Sequence, residues 1–186
     1  HMHLLHYAWL RRNLSLFGVG SIEELIQRCR ERVQQDRPAY LIAQGWNHNT
    51  MEEGRLVTRQ DLDRVSTRIP VCALRACLHI GACNTVMLDR IRSLPHVEPE
   101  VLAKVDFENG ILREEALHLY SDVLPAANDD AVRNLILLAQ RELNAAGITC
   151  VNSDDLRTIP GVDPFHLIGL FREMERQGEL TLRIIE

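Results

Sequence analysis

The spacing of apolar residues along the chain changes several times from helical to extended, and these changes predict its elements. Ser21 and Glu24 form the pattern of a capping box, and the apolar residues that follow recur as on one face of a helix. Short apolar runs at residues 40–43 and 70–74 predict two buried strands. Two strands joined through helical segments indicate a small mixed or parallel sheet with helices packed on it.

Polar side chains gather around these two predicted strands. Residues 45–49 form a polar loop directly after the first strand, and Thr58 then begins a short helix as an N-cap. His79 lies just beyond the second strand, and Asn84 begins a further helix. Because loops carry binding residues disproportionately, this part of the chain is a candidate binding surface.

From Asp129 onwards the spacing of apolar residues predicts helices that alternate with strands. Apolar residues at helical spacing predict a long helix that Gly147 ends, and residues 148–151 predict a strand. Pro164 stands at the first position of another predicted helix, and residues 180–185 predict a final strand. Helix, strand, helix and strand with short loops is the repeat of a (β/α) barrel.

Composition and charge narrow the classes of function. The net charge is −5, which argues against a general binder of nucleic acid or of anionic membranes. No apolar run approaches the ~20 residues that span a bilayer. The five cysteines include no C-x-x-C pair and are typical of buried thiols in a reducing compartment. We therefore expect a cytoplasmic protein without nucleic-acid or membrane partners.

His1 and His3 form a His-x-His pattern at the start of the sequence. On a strand, residues i and i+2 point to the same side, so two imidazoles can bind one divalent metal from one face. A His-Met pair at a terminus is also typical of a cloning remnant, which makes His3 the better-supported ligand. A small zinc-binding module formed by these two residues and His6 is one alternative function.

Two motifs around the polar loop identify a resemblance. Residues 45–47 read GWN, and residues 54–63 read GRLVTRQDLD. They resemble the GW(D/N) and G-x-L-(P/V)-T-R-x-D-L-D segments of the metal-dependent amidohydrolases, in the branch called amidohydrolase family 3, which includes the N-substituted formamide deformylases. The match is long, and the resemblance depends on the whole run of residues rather than on any single residue.

Two later segments resemble the same family less closely. Leu78 and His79 stand where Gly-His is usual, and residues 82–85 stand in place of a Val-Asn-Ser helix start. Residues 147–154 read GITCVNSD and resemble the family's G-I-T-(S/T)-V-H-D-A-G strand. Asn152 stands there where histidine is common, which puts a role for that side chain in doubt.

The resemblance implies a hydrolase that cleaves amide- or formamide-type C–N bonds of a small molecule with a metal-activated water. It implies a divalent metal, zinc in the first place, with His1 and His3 as ligands. The bridging carboxylated lysine, two later histidines and the catalytic aspartate of the family are expected beyond residue 186. Lys104, the only lysine here, is a poor candidate for the bridge because it lies in a helical segment of the predicted insert.

Three side chains are candidates for substrate binding. Trp46 and His48 would form a substrate lid, and the alternative is that they anchor a packed loop. His79 would line the mouth of the active site, and the alternative is a hydrogen-bonded histidine beside a strand.

The resulting prediction is an α/β fold, with partial (β/α) barrel elements flanking a small α+β insert that has a mixed sheet and packed helices. Residues 1–20 would start the barrel, 21–125 would form the insert, and 126–186 would return to the barrel. We expect a fragment that is inactive by itself and that forms a homodimer or strand-swapped assembly through open strand edges. A stand-alone, non-catalytic ligand-binding or interaction domain is the alternative function.

Overall fold

The structure is a computed structural model, and it describes residues 1–159 and 161–185. Across these residues the α-helices are α1 (Leu4–Arg12), α2 (Ile22–Asp36), α3 (Arg59–Asp63), α4 (Thr85–Arg92), α5 (Pro99–Leu102), α6 (Leu119–Asp122), α7 (Asp129–Ala145) and α8 (Pro164–Arg176). The strands are β1 (Leu14–Ser15), β2 (Leu41–Trp46), β3 (Val71–Arg75), β4 (Ile80–Cys83), β5 (Val105–Asp106), β6 (Ile111–Arg113), β7 (Cys150–Asn152) and β8 (Arg183–Ile185). None of these helices is both long and apolar enough to cross a bilayer.

The chain divides into two compact units. The central unit is Asn13–Leu124, and the terminal unit combines His1–Arg12 with Pro125–Glu186. The assignment of the two outer segments to a (β/α) barrel stays a prediction.

The central unit is built on a six-stranded mixed sheet with the order β1-β2-β3-β4-β6-β5. Strands β1, β2 and β3 are parallel, and β4, β6 and β5 continue the sheet in antiparallel pairs. The predicted strands at residues 40–43 and 70–74 are the parallel pair β2 and β3. The predicted mixed sheet with packed helices is therefore confirmed. The hairpin that joins β3 to β4 was not predicted.

The core of the central unit lies between this sheet and the apolar face of α2. Ile22, Leu25 and Ile26 of α2 are buried together with Ala43 and Ala73 of the sheet. Their spacing on the helix is the one that predicted it from the sequence. Ser21 caps this helix as expected, because its Oγ accepts the backbone N–H of Glu24 at 3.1 Å.

Asp61 is the buried carboxylate that fixes the start of α3. Its Oδ2 accepts hydrogen bonds from the backbone N–H and the hydroxyl of Thr58, both at 2.9 Å. The guanidinium of Arg55 binds both of its oxygens, at 2.7 and 3.0 Å. Burial alone would raise the pKa of Asp61, but these hydrogen bonds outweigh burial and hold that pKa below its usual value.

Asp61 is expected to make the stability of the central unit sensitive to acid. Because its pKa is lower in the folded state, its contribution is present above the unfolded pKa of about 4 and is lost as the pH falls through the folded value. Between about pH 5 and about pH 3, urea unfolding should show a smaller loss of stability in Asp61→Asn than in the unsubstituted chain. Asp122→Asn, at an exposed position, is the matched control. A loss in Asp61→Asn as large as in the unsubstituted chain would contradict this assignment.

The terminal unit contains the second sheet, the parallel pair β7 and β8. The strands predicted at residues 148–151 and 180–185 are found here, although both are shorter than expected. Helices α7 and α8 follow the predicted boundaries closely, with Asp163 Oδ1 accepting the backbone N–H of His166 at the start of α8. The expected pairing of these strand edges with another chain stays a prediction.

Candidate metal centre

The His-x-His segment lies directly before α1, in the terminal unit. Residues 1–3 belong to no strand, which corrects the prediction that they form one. The backbone N–H of Met2 nevertheless donates to the carbonyl of Asn152 at 2.9 Å, so this segment lies beside the end of β7. One main-chain hydrogen bond does not make a strand, because a ladder needs a repeated pattern of such bonds.

Asp154 joins the two histidines at this point. Its Oδ1 lies 2.9 Å from Nδ1 of His3 and 3.8 Å from Nε2 of His1. One donor atom from each of the three side chains falls within 4.8 Å of the other two, and all three side chains are exposed. Asp154 was not predicted from the sequence. The available signal was its place in GITCVNSD, shortly after the strand predicted at residues 148–151.

The three side chains form a donor set that fits a divalent metal. Zinc takes imidazole nitrogens and carboxylate oxygens at about 2.0–2.2 Å in a tetrahedral arrangement, which places two ligand atoms about 3.3 Å apart. The two separations involving Asp154 lie on either side of that value. Two imidazoles and one carboxylate would leave a fourth position for water or substrate.

Two buried polar side chains hold this segment in place. Ser153 Oγ accepts the backbone N–H of Leu4 at 3.0 Å, and its hydroxyl donates to Asp155 Oδ1 at 2.7 Å. The other oxygen of Asp155 accepts the backbone N–H of His6 at 2.7 Å. Ser153 and Asp155 thus form a clamp that satisfies two free N–H groups in the first turn of α1. The carboxylate also stands where the helix dipole favours negative charge.

His6, the third residue of the alternative zinc module, is outside the donor set. Among the described residues, that set contains only His1, His3 and Asp154. The His6 ring centroid lies 6.5 Å from that of His3. Burial lowers the pKa of His6, and the charge of Asp155 opposes this effect.

Trp46, predicted as part of a substrate lid, is fully buried in the central unit. Its indole N–H donates to the carbonyl of Ala73 at 3.0 Å. The position of the ring is that of the alternative, an anchor of the packed loop. A buried indole with a satisfied N–H has no surface left for a ligand.

His48 lies on a short 3₁₀ helix, His48–Thr50, which follows β2. Its Nδ1 accepts a hydrogen bond from Nε of Arg75 at 3.3 Å, and the same guanidinium donates to Asn47 Oδ1 at 2.9 Å. The side chain is half-buried, so part of it stays accessible to a ligand.

His79 lies in the turn between β3 and β4 and is exposed. Its Nδ1 is 3.0 Å from Glu114 Oε2, and this hydrogen bond raises the pKa of His79. Lys104 is paired with Glu115 and is exposed, so it is engaged on the surface of the central unit. The predicted roles of His48 and His79 in substrate binding stay predictions.

The fold of the chain resembles solved structures over nearly its whole length. In solved structures, the chain resembles an uncharacterized metal-dependent hydrolase from Pyrococcus furiosus with a TM-score of 0.71 and 27% identity, covering 99% of this chain and 35% of that one. An uncharacterized metal-dependent hydrolase from Pyrococcus horikoshii OT3 has the same fold over 99% of this chain and 34% of its own, with a TM-score of 0.74 and 24% identity.

The chain also matches only part of the length of its curated relatives. YtcJ of Bacillus subtilis (strain 168) is 29% identical over 162 residues, which are 84% of this chain and 31% of YtcJ. The exoenzymes regulatory protein AepA of Pectobacterium carotovorum subsp. carotovorum is 27% identical over 177 residues, 87% of this chain and 37% of AepA. The chain thus spans about a third of the length of these relatives.

The family comparison covers the whole chain. The sequence pattern described as "Amidohydrolase family" matches residues 1–186, which include both motifs around the polar loop and all three residues of the donor set. The chain belongs to the amidohydrolase family.

Proposed function

We propose that this chain is part of a metal-dependent hydrolase that cleaves C–N bonds of the amide or formamide type in a small molecule. The observation that carries the proposal is the donor set His1, His3 and Asp154 in a member of the amidohydrolase family. The Pyrococcus furiosus relative is itself described as a metal-dependent hydrolase, which supports the same class here.

Each residue of the donor set has a defined part in this proposal. His3, which lies before α1, and Asp154, which follows β7, would hold the metal. His1 would supply a third ligand, and the exposure of all three side chains would leave room for water and substrate. A bound divalent metal, zinc in the first place, would lower the pKa of its water to about 7 and polarise the scissile carbonyl. Two imidazole nitrogens in the set favour zinc or a similar transition metal over magnesium or calcium, which prefer oxygen ligands.

We further propose that the isolated chain binds metal but does not turn over an amide. The donor set reaches the three protein ligands that catalytic zinc sites commonly have, but the chain spans only about a third of the length of its curated relatives. Incubation with zinc and an N-formyl amine, or with zinc and a simple amide, should therefore give no product. Zinc-dependent release of formate or amine that His3→Ala abolishes would contradict this part.

Zinc titration of the chain tests the donor set directly. Calorimetry on protein without a histidine tag should show one site, and His3→Ala should weaken it at least ~10-fold, the lower limit of what loss of supporting groups alone costs. Asp154→Ala should weaken it as well. His118→Ala removes an exposed histidine of the central unit and is the matched control. Equal affinities for His3→Ala and the unsubstituted chain would overturn the assignment.

A further inference from the structure

Two buried cysteines of the central unit lie directly opposite each other on neighbouring strands. Cys72 of β3 and Cys83 of β4 are register partners in the antiparallel pair that these strands form. Both side chains are fully buried, and both are free thiols. The turn between β3 and β4 thus brings together two groups that can form a covalent bond with each other.

The hydrogen bonds around the two cysteines show which kind of position they occupy in the sheet. The N–H of Asn84 donates to the carbonyl of Val71 at 3.0 Å and joins β3 and β4 just beside the cysteines. The N–H of Cys83 instead donates to the carbonyl of Gly110 at 2.8 Å, on the other side of β4. Cys72 and Cys83 therefore face each other at a position without hydrogen bonds between them. At such positions the two Cα atoms lie about 4.5 Å apart and the side chains are closest.

This position fits the geometry of a disulfide. Disulfides join Cα atoms about 4.4–6.8 Å apart and Cβ atoms about 3.5–4.5 Å apart. Cβ atoms of directly opposite residues lie about 4.5–5.5 Å apart and are closest at positions without hydrogen bonds. The two strands would therefore have to approach each other by about 1 Å or less for an S–S bond to form.

The two thiols lie on the face of the sheet that is turned away from α2. Ala73 and Ala82, the next register pair, belong to the core that α2 covers, and successive residues of a strand point to opposite faces. A Cβ added at Gly81 of β4 would lie 3.5 Å from Sγ of Cys72 and 2.7 Å from Cδ1 of Leu117. The Cys72 sulfur therefore lies close to β4, the strand that carries its partner thiol.

The apolar cover over this face keeps the thiols in their protonated form. Burial raises the pKa of Cys83, and the neighbouring Cys72 thiol raises it further. Because a thiol reacts as the thiolate, the pair should react only when the cover opens. Leu117, which covers Gly81 next to the pair, lies on the short 3₁₀ helix Glu114–His118. Short segments of this kind have poorer hydrogen-bond geometry and can open locally without unfolding of the whole unit.

We propose that Cys72 and Cys83 are a redox-sensitive pair, which hydrogen peroxide converts into an intramolecular disulfide that fastens β3 to β4. One thiolate attacks an oxygen of the peroxide, the O–O bond breaks, and the leaving hydroxide takes up a proton. The second thiol then attacks the sulfur of the resulting sulfenic acid. An S–S bond forms, the S–O bond breaks, and the leaving hydroxide becomes water with the proton of the second thiol. Two thiols are oxidised by two electrons in total, and one peroxide is reduced to two waters.

The disulfide would close a short loop that contains the whole turn between β3 and β4. A bond of this kind stabilises a protein mainly because the unfolded chain loses conformational freedom. We expect the oxidised chain to unfold at a urea concentration about 1 M higher than the reduced chain. His79 lies in this turn, so closure would also restrict the backbone that carries a predicted substrate-binding residue.

Peptide mass spectrometry tests the proposal directly. The full chain is incubated with hydrogen peroxide under native conditions, free thiols are blocked, and the protein is digested with trypsin without reduction. Trypsin cleaves after Arg75, so Cys72 and Cys83 fall into separate peptides, residues 69–75 and 76–90. We expect these two peptides to remain joined, with fragmentation locating the bond at Cys83 rather than at Cys77. Dithiothreitol should separate them, as expected for a disulfide rather than for over-oxidation.

Two substitutions separate this pair from the other buried thiol. Cys83→Ala should abolish the joined peptides and the rise in the urea midpoint. Cys29→Ala removes a buried thiol of α2 and is the matched control, which should change neither. Reduced Cys72 and Cys83 in a chain whose exposed Cys77 and Cys150 are fully oxidised would overturn the proposal, and this comparison needs no variant. Joined peptides without a rise in the urea midpoint would show that the disulfide does not fasten the strands, and would overturn it equally.

Discussion

Alanine in place of Gly110 is expected to destabilise the central unit by about 2–5 kcal/mol. Gly110 ends the turn between β5 and β6 with a φ of 77°, a conformation that costs an alanine about 1–2 kcal/mol. A Cβ at this position would also lie 2.5 Å from the carbonyl oxygen of Cys83 and 2.7 Å from Cβ of Arg59. Both obstacles are close to the main chain, so the sheet itself has to move, and overpacking of this kind costs about 1–3 kcal/mol more.

Gly54 is the matched control for Gly110. Its φ is 58°, also left-handed, but no heavy atom lies within 4 Å of an added Cβ. Gly54→Ala should therefore destabilise the unit only by the cost of the left-handed conformation, about 1–2 kcal/mol. Urea unfolding can be followed through the fluorescence of Trp46 in a Trp9→Phe background. Equal losses at the two positions would show that crowding at Gly110 is relieved at little cost.

Alanine in place of Asp155 is expected to have the second-largest effect, on the terminal unit. Asp155 is 8% exposed and accepts hydrogen bonds from the His6 N–H and the Ser153 hydroxyl. Its removal leaves these donors without a partner, which costs about 3 kcal/mol for bonds to a charged group. The first turn of α1 should then open more often, and hydrogen exchange of residues 4–8 should report it.

The same substitution tests whether the clamp positions the donor set. If Ser153 and Asp155 orient His3, zinc affinity should fall about 10–100-fold in Asp155→Ala, as for other groups that support metal ligands. Asp155→Asn keeps one acceptor oxygen and should lower zinc affinity less. Asp130 is an exposed acid of α7, and Asp130→Ala should leave zinc affinity unchanged. Faster exchange of α1 at unchanged zinc affinity would show that the clamp stabilises the fold without acting on the donor set.

The elements that local signals define were predicted correctly. Ser21 with the apolar face behind it predicted α2, and the apolar runs predicted the parallel pair β2 and β3. In each case the residues that determine the element lie within or next to it. The motifs at residues 45–63 also predicted the family, because they form one continuous stretch of sequence.

The parts that were missed depend on residues far away in the sequence. The first turn of α1 is capped by Ser153 and Asp155, each 149 positions away from the N–H group it binds, and residues 1–3 include no side chain that could cap the helix locally. Asp154 is missing from the predicted ligands for the same reason. Trp46 was assigned to a lid because its loop is polar, whereas the acceptor of its N–H lies on the neighbouring strand.

The division of the chain into two units has a consequence for its order of synthesis. All contacts within the central unit can form once about residue 124 has left the ribosome, because that unit is one continuous segment. Helix α1 is made before the central unit but packs on α7, with partners such as Glu142, which lies 135 positions after Tyr7. Its apolar side chains Leu4, Leu5 and Trp9 are buried in the folded chain. They therefore stay exposed to solvent while more than a hundred residues are added. Contacts of such separation form slowly, and the exposed apolar surface meanwhile favours association with other chains. During translation, the segment that carries His3 should thus need protection by a chaperone until α7 has been synthesised.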